Sequence, residues 1–226
     1  MKKLLLIAAI LLSVTGYGQE LNKSEVFAGI GISNSKTSEG MMDPVGGVMI
    51  GFSYRAMLYY GAAQTNLMQL SGLYANSGIT FLQKGFKWNL ENFKYLGLTS
   101  TSKGSIKTTY LEVPLHLGYL FNPKQKYSLF AEAGGYLGFG LTGKYKSKIN
   151  YGGTDFEYNH KFFKVDDGEL QSGNRFEFGI GVKAGVDIQN NITVSAGYDL
   201  GLTKYGNAFF LSPKHRKFYM TVGYRF

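Results

Sequence analysis

A chain of 226 residues with a formal net charge of +9 and no cysteine has the size of one domain with its own core. The missing cysteines exclude disulfides, thiolate metal sites and an acylated lipoprotein anchor. A basic balance of this kind often marks nucleic-acid binding, but here the lysines fall mainly among aromatics between strands of an exported chain. Such a chain meets anionic lipid and polysaccharide instead, so no nucleic-acid partner is expected.

The first segment sets the compartment. Lys2 and Lys3 precede an apolar run from Leu4 to Val14, and Thr15, Gly16 and Gly18 follow it. This is the pattern of a signal peptide over 1–19, cleaved near Gly18 or Gln19, with the mature domain over 20–226. The run is shorter than the ~20 apolar residues of a membrane helix, and no later segment supplies one. Membrane insertion must therefore be by strands.

Over the whole chain, 31 glycines, 4 prolines, 17 tyrosines and 17 phenylalanines favour β-structure over helix. Period-two alternation predicts the strands in order. Val26, Ala28, Ile30 and Ile32 form one apolar face, and Val48, Ile50, Phe52 and Tyr54 a second. A third, less regular strand runs from about Asn66 to Ile79, after an apolar turn near Met57 to Thr65. The fourth sets Leu111, Val113, Leu115, Leu117, Tyr119 and Phe121 against Tyr110, Glu112, Pro114, His116 and Gly118. Its proline calls for a bulge or an unpaired N–H. The fifth spans Leu129 to Leu141, the sixth Arg175 to Ile188, the seventh Ile192 to Thr203, and the eighth Phe218 to Phe226. Short turns at Asn122–Lys126 and Gln189–Asn191 alternate with long loops at Phe81–Ser105 and Gly143–Gly173.

Short turns on one side and long loops on the other are the pattern of an outer-membrane barrel, as is a last strand ending on an aromatic. The fold class is therefore all-β: an eight-stranded antiparallel up-and-down transmembrane β-barrel in the outer membrane, both termini periplasmic. A soluble barrel would put the apolar set inside, but Gly179, Gly181 and Gly185 on the polar face of the sixth strand have no role in water. Inside a narrow barrel they make room for Phe130 and Tyr136. The interior then holds Glu112, Glu132, Glu177, Asp187 and Asp199 with Arg55, Arg175, Lys183 and Arg225. Near balance suits a self-paired core, and Glu132 with Lys183 is the expected pair. Tyr224 and Phe226 are the expected signal to the barrel assembly machinery.

The segments Tyr110-Leu-Glu-Val-Pro-Leu115 with Leu117-Gly-Tyr119, Gly135-Tyr-Leu-Gly138, Phe178 to Val186, Tyr198 to Thr203 and Val222-Gly-Tyr-Arg-Phe226 resemble the PorT-like outer-membrane barrels of the Bacteroidota. The resemblance covers nearly all of the mature chain and departs around Met57 to Thr65. It implies an eight-stranded barrel; the family's namesake is linked to secretion by the type IX system.

No residue pattern demands a cofactor or metal. Asp166, Asp167 and Glu169 lack the ligand spacing of a calcium loop, and no helix follows Gly134 to Gly140 to make a phosphate loop. A rim-sited lipid hydrolase would draw on His215 near Ser212, or on His160 near Glu157. Within Lys214, His215, Arg216 and Lys217, however, contact with headgroup or polysaccharide phosphate is the expected role, and His116 is a core residue. A small passive porin is disfavoured because the interior is filled. The expected reading is a non-enzymatic barrel whose partners are outer-membrane lipids and lipopolysaccharide, with a surface glycan or protein at the long loops. Phe86, Trp88, Phe93 and Tyr95 in one loop, Tyr145, Tyr151, Phe156, Tyr158, Phe162 and Phe163 in the other, and Lys84, Lys87, Lys94 and Lys103 would make that contact.

Overall fold

Apolar residues at every second position dictate an extended backbone with one greasy side. The computed structural model of the protein describes residues 22–37, 40–59, 72–95, 98–121, 125–163, 173–204 and 214–226. The expected signal peptide, the first part of the third strand, most of the turn near Met57 to Thr65, Ser212, and the acidic trio Asp166, Asp167 and Glu169 lie outside the described residues, as do the side chains of Phe93, Lys94 and Tyr95.

The strands are β1 (Lys23–Thr37), β2 (Gly40–Met41), β3 (Asp43–Tyr59), β4 (Leu73–Tyr95), β5 (Leu98–Phe121), β6 (Tyr127–Tyr151), β7 (Thr154–Lys161), β8 (Phe176–Ile188), β9 (Ile192–Gly201) and β10 (Lys214–Arg225). β2 only extends the end of β1, and β7 folds back on β6. The other eight pair antiparallel in order, and β10 closes on β1 from Glu25↔Arg225 to Lys36↔Lys214. The result is an eight-stranded up-and-down barrel. Closure leaves no unpaired edge, which is what lets a sheet sit in hydrocarbon.

The faces are inverted relative to a water-soluble protein. Ile30, Leu117, Leu129, Val182 and Val222 are 67%, 60%, 61%, 55% and 60% exposed, whereas Glu112, Glu132 and Arg225 are 4%, 4% and 3% exposed. On β5 the outward apolar set runs from Leu111 to Phe121. At about 3.3 Å per residue and a tilt near 40° it makes a band about 25 Å tall, the height of a membrane barrel's girdle.

At one end of the barrel β8 and β9 are joined by a tight turn. Gln189 and Asn190 both have positive φ (51° and 61°), and Asn191 N donates to Ile188 O at 3.1 Å. That is a type I′ turn, whose twist matches its strands. At the other end the strands overrun the apolar band. The segment Phe81–Ser105, expected as a loop, is the paired extension of β4 and β5 to Tyr95↔Leu98. Most of Gly143–Gly173 is the upper part of β6 with β7. The alternation of hydrophobicity fades there because the outward residues become polar, while the backbone remains extended.

Several irregularities tune the wall, among them register shifts in the β3–β4 ladder and two features that involve β5. The β4–β5 ladder skips from Ser77↔Leu115 to Thr80↔Glu112 without a change of register, the gap that Pro114's missing N–H produces. In β6 the register shifts between Thr109↔Thr142 and Tyr110↔Gly140, so Leu141 is bulged. A one-residue insertion moves every later side chain to the opposite face, and Tyr145 and Ser147 thereby point inward.

Aromatics fill the interior by lying over glycines of neighbouring strands. Tyr74 packs on Gly118, Phe130 on Gly185, Tyr136 on Gly179, and Tyr219 on Gly197. A Cβ on Gly185 would sit 2.7 Å from Phe130 Cζ, whereas one on outward Gly135 meets nothing nearer than 3.6 Å. Gly185→Ala should therefore destabilise the barrel by about 1–3 kcal/mol through overpacking. Gly135→Ala should stay within about 0.5 kcal/mol of wild type. Urea unfolding in lipid vesicles measures both, and equal effects would contradict this packing.

Candidate functional site

Inward parity carries charge into the barrel, and the structure gathers it in three layers. Nearest the tight turns, Arg225 Nε and Nη2 both reach Glu25 Oε2 at 2.9 Å, Arg225 also contacts Asp187, and Arg55 Nη1 is 2.7 Å from Asp187 Oδ2. The Arg55 guanidinium lies over the Tyr74 and Phe130 rings at 4.3 and 4.8 Å. In the middle, Glu132 and Lys183 are direct cross-strand partners with Oε1 and Nζ 2.8 Å apart. Tyr74 Oη and Asn76 Nδ2 each donate to Glu132 at 3.0 Å, and His116 Nδ1 lies 3.2 Å from Oε1. In the upper layer Lys217 bridges Glu112 and Asp199 at 3.0 and 2.8 Å. Lys84 bridges Glu112 and Glu177, reaching the latter at 2.8 Å. Tyr136 Oη donates to Glu177 at 2.6 Å, and His215 Nδ1 lies 3.0 Å from its other oxygen.

Eight of the nine residues expected in the interior lie in these layers. Arg175 does not: it is exposed at the rim, where its guanidinium donates to Gly140 O at 2.9 Å and Phe163 O at 3.2 Å. The β6–β8 pairing ends at Phe139↔Phe176, so position 175 has inward parity with no barrel left around it. Glu25, Lys84, Lys217 and His215 complete the layers. Lys84 was expected in a surface loop, and Lys217 and His215 in a surface basic cluster; they are 2%, 4% and 3% exposed. Their signal was parity: counting inward from Arg225 by twos reaches Thr221, Tyr219, Lys217 and His215.

Around this network the lumen is closed. The space between Glu112, His116, Glu132, Asp199 and Tyr219 measures about 40 Å³, room for about one water molecule. Above it sit Phe86, Trp88, Ile106, Tyr110, Tyr145, Phe162 and Phe163, all buried. Phe86, Trp88, Tyr145, Phe162 and Phe163 were expected as exposed loop aromatics; the strands continue to their level and turn them inward. Higher still, the inner face of the protruding β4–β5–β6–β7 sheet carries Leu90, Ser102, Ile149 and Phe156 in one cross-strand row. The row below it holds Trp88, Gly104, Ser147 and Tyr158. Leu90, Phe156 and Tyr158 are 40%, 46% and 48% exposed, an apolar surface raised above the barrel mouth.

At the tip of this sheet the charges are matched: Lys103 meets Glu91 at 3.3 Å, and Lys148 meets Asp155 and Glu157 at 3.1 and 3.3 Å. Hydrogen bonds from Asn150 and Lys148 hold the Asp155 carboxyl below its usual range. His160, expected near Glu157, stacks on Tyr145 with centroids 4.6 Å apart, and Glu157 turns to Lys148. Among the described residues no three His, Asp or Glu side chains are gathered as a metal site requires.

A closed antiparallel ring, apolar outside and ion-paired inside, defines an integral outer-membrane β-barrel. The chain belongs to the outer membrane protein beta-barrel domain family, whose model matches residues 19–205. No curated protein sequence matches it. Among solved structures it is similar to Neisserial surface protein A, at 13% identity over 90% of this chain and 97% of that one, TM-score 0.42. It is also similar to Ail, the attachment invasion locus protein of Yersinia pestis, at 15% identity over 91% and 99%, TM-score 0.36. The outer membrane enzyme PagL is 14% identical over 87% and 97%, TM-score 0.26.

The layers differ in how much each cation carries. Lys84 is the shared partner of two buried carboxylates, so Lys84→Met should cost about 3–5 kcal/mol. Lys183→Met should cost less, about 1–3 kcal/mol, because Glu132 keeps Tyr74, Asn76 and His116. Adding Glu132→Gln to Lys183→Met should recover part of the loss, and a cycle with no coupling would contradict the pairing.

Proposed function

We propose that the protein is a sealed, non-enzymatic outer-membrane barrel of the PorT-like branch that holds a recognition surface above the membrane. The carrying observation is the exposed inner face of the protruding sheet, with Leu90, Ile149, Phe156 and Tyr158 side by side. From Leu111 to Leu98 the β5 strand extends about 40 Å beyond the apolar band along its own axis. The buried charges of the barrel are paired with one another, so aromatics raised this far and left half exposed suit a partner, a surface glycan stacking on the rings or a protein with an apolar edge. The long-stranded end is the extracellular one by the barrel pattern. A secretion-accessory role is one form such recognition takes. Tyr224 and Phe226, both exposed on the outward face, suit docking to the barrel assembly machinery during insertion.

Two observations weigh against the other readings. His215 is enclosed in the barrel against Glu177, out of reach of a lipid ester at the rim. A lumen filled by Tyr74, Tyr110, Phe130 and Tyr136 leaves no aqueous path, so the pure protein should show no steady single-channel conductance in planar bilayers. Steady conductance would make it a pore.

The recognition surface is tested by Phe156→Ser with Tyr158→Ser, and by replacing residues 88–104 with a short turn. Both variants should insert and keep their heat-dependent mobility shift on gels, yet lose partner capture in a crosslinking pull-down from whole cells. Retrieval of every wild-type partner by both variants would move the site elsewhere.

A further inference from the structure

Outside the wall, at one level, the barrel carries lysines in cross-strand contact with lysines. Lys107 pairs directly with Lys144, and Lys144 with Lys161, across β5, β6 and β7. On β1 and β10, at the opposite point of the ring, Lys36 pairs with Lys214. All five are exposed, and among the described residues no carboxylate lies within the 4.0 Å of an ion pair with any of them. Like charges directly opposite in a sheet are destabilising, so these rows call for an anion that the described residues do not supply. The tip lysines differ, since Lys103 and Lys148 have their own carboxylates.

The level of the rows identifies the anion. Lys107 stands four residues beyond Leu111, the last outward apolar residue of β5; Lys36 stands four beyond Ile32, and Lys214 four beyond Phe218. Four residues of tilted strand rise about 10 Å, into the headgroup layer that borders the hydrocarbon. The tight-turn end is different: Phe121, Tyr127 and Tyr224 border the band there, 47%, 57% and 54% exposed. A protein partner docks on one side of a barrel, whereas a lipid layer reaches both sides at one height.

We propose that these rows form a belt that binds the phosphates of a phosphorylated glycolipid in the outer leaflet, fixing the depth and direction of the barrel. The proposal rests on the extracellular assignment of the long-stranded end. Alternation divides the basic cluster of β10: Lys214 and Arg216 face the lipid side, while His215 and Lys217 serve the interior. A concave region of about 680 Å³, lined at the wall by Lys107, Lys144, Lys161 and Arg175 and reaching inward to Lys84, Thr108 and Phe163, is large enough for a phosphorylated sugar headgroup.

The test places the mature chain in nanodiscs of phosphatidylethanolamine with a minor fraction of bis-phosphorylated lipid A, and counts retained lipid A by native mass spectrometry. Wild type should retain lipid A at least tenfold better than its dephosphorylated form, and Lys107→Gln/Lys144→Gln/Lys161→Gln should lose that preference. The control Lys103→Gln/Lys148→Gln should keep it. Without lipid A the triple variant should be no less stable than wild type, since it relieves repulsion. Equal retention of both lipids by wild type, an undiminished triple variant, or full displacement by inorganic phosphate would each overturn the belt. A chain without the heat-dependent mobility shift would overturn the barrel reading and the belt with it. A barrel that shifts normally but ignores lipid phosphate overturns the belt alone.

Discussion

Pairing of β10 with β1 is the constraint from which the rest follows. In hydrocarbon a backbone N–H or C=O without a partner costs several kcal/mol, and the ring from Glu25↔Arg225 to Lys36↔Lys214 removes the last open edge. Once the sheet is closed, each strand has one face in lipid and one in a lumen barely wider than its own side chains. The period-two pattern must then be read inside out: Ile30, Leu117 and Val222 are wall, and Glu132, Lys183 and Arg225 are core.

A core made of charge is stable only when each ion is matched, because removing charges from water costs more than a loose pair returns. The three layers achieve this with shared partners: Lys84 serves two carboxylates, Lys217 two, and Asp187 two arginines. Aromatic rings over glycines occupy the remaining volume, Tyr136 on Gly179 and Phe130 on Gly185 among them. The outcome is a rigid post rather than a channel. Such a post suits the division of labour proposed here, in which the wall grips the membrane and the overrunning strands present a surface above it.

Most of the barrel was legible because its signal is local: alternation in Phe176 to Ile188 or Phe218 to Phe226 needs no knowledge of the rest of the chain. The Glu132–Lys183 contact was legible for the same reason, since both residues lie on regular strands joined through one register. What was missed lies where alternation of hydrophobicity and alternation of direction part company. Lys84, Phe86 and Trp88 keep inward parity, but their outward neighbours Gln83, Lys87 and Asn89 are polar, so the segment looked like a loop. Lys217 and His215 were hidden by adjacency to Lys214 and Arg216, a run of like residues that the pleat splits between two faces. The bulge at Leu141 left no mark in the sequence; only the partner strand defines it.

The inverted barrel requires that the apolar face meet lipid, and the absence of native cysteine allows that to be measured one residue at a time. Single cysteines at Ile180, Val182 and Val222 would each carry a small fluorophore in vesicles of brominated lipid, and single cysteines at Ser195 and Thr221, where the filled lumen leaves no room for one, would be offered the same reagent in the folded barrel. Strong quenching at the first three positions with no labelling at the last two is the predicted result, and weak quenching at the first three or ready labelling at the last two would contradict the inverted barrel.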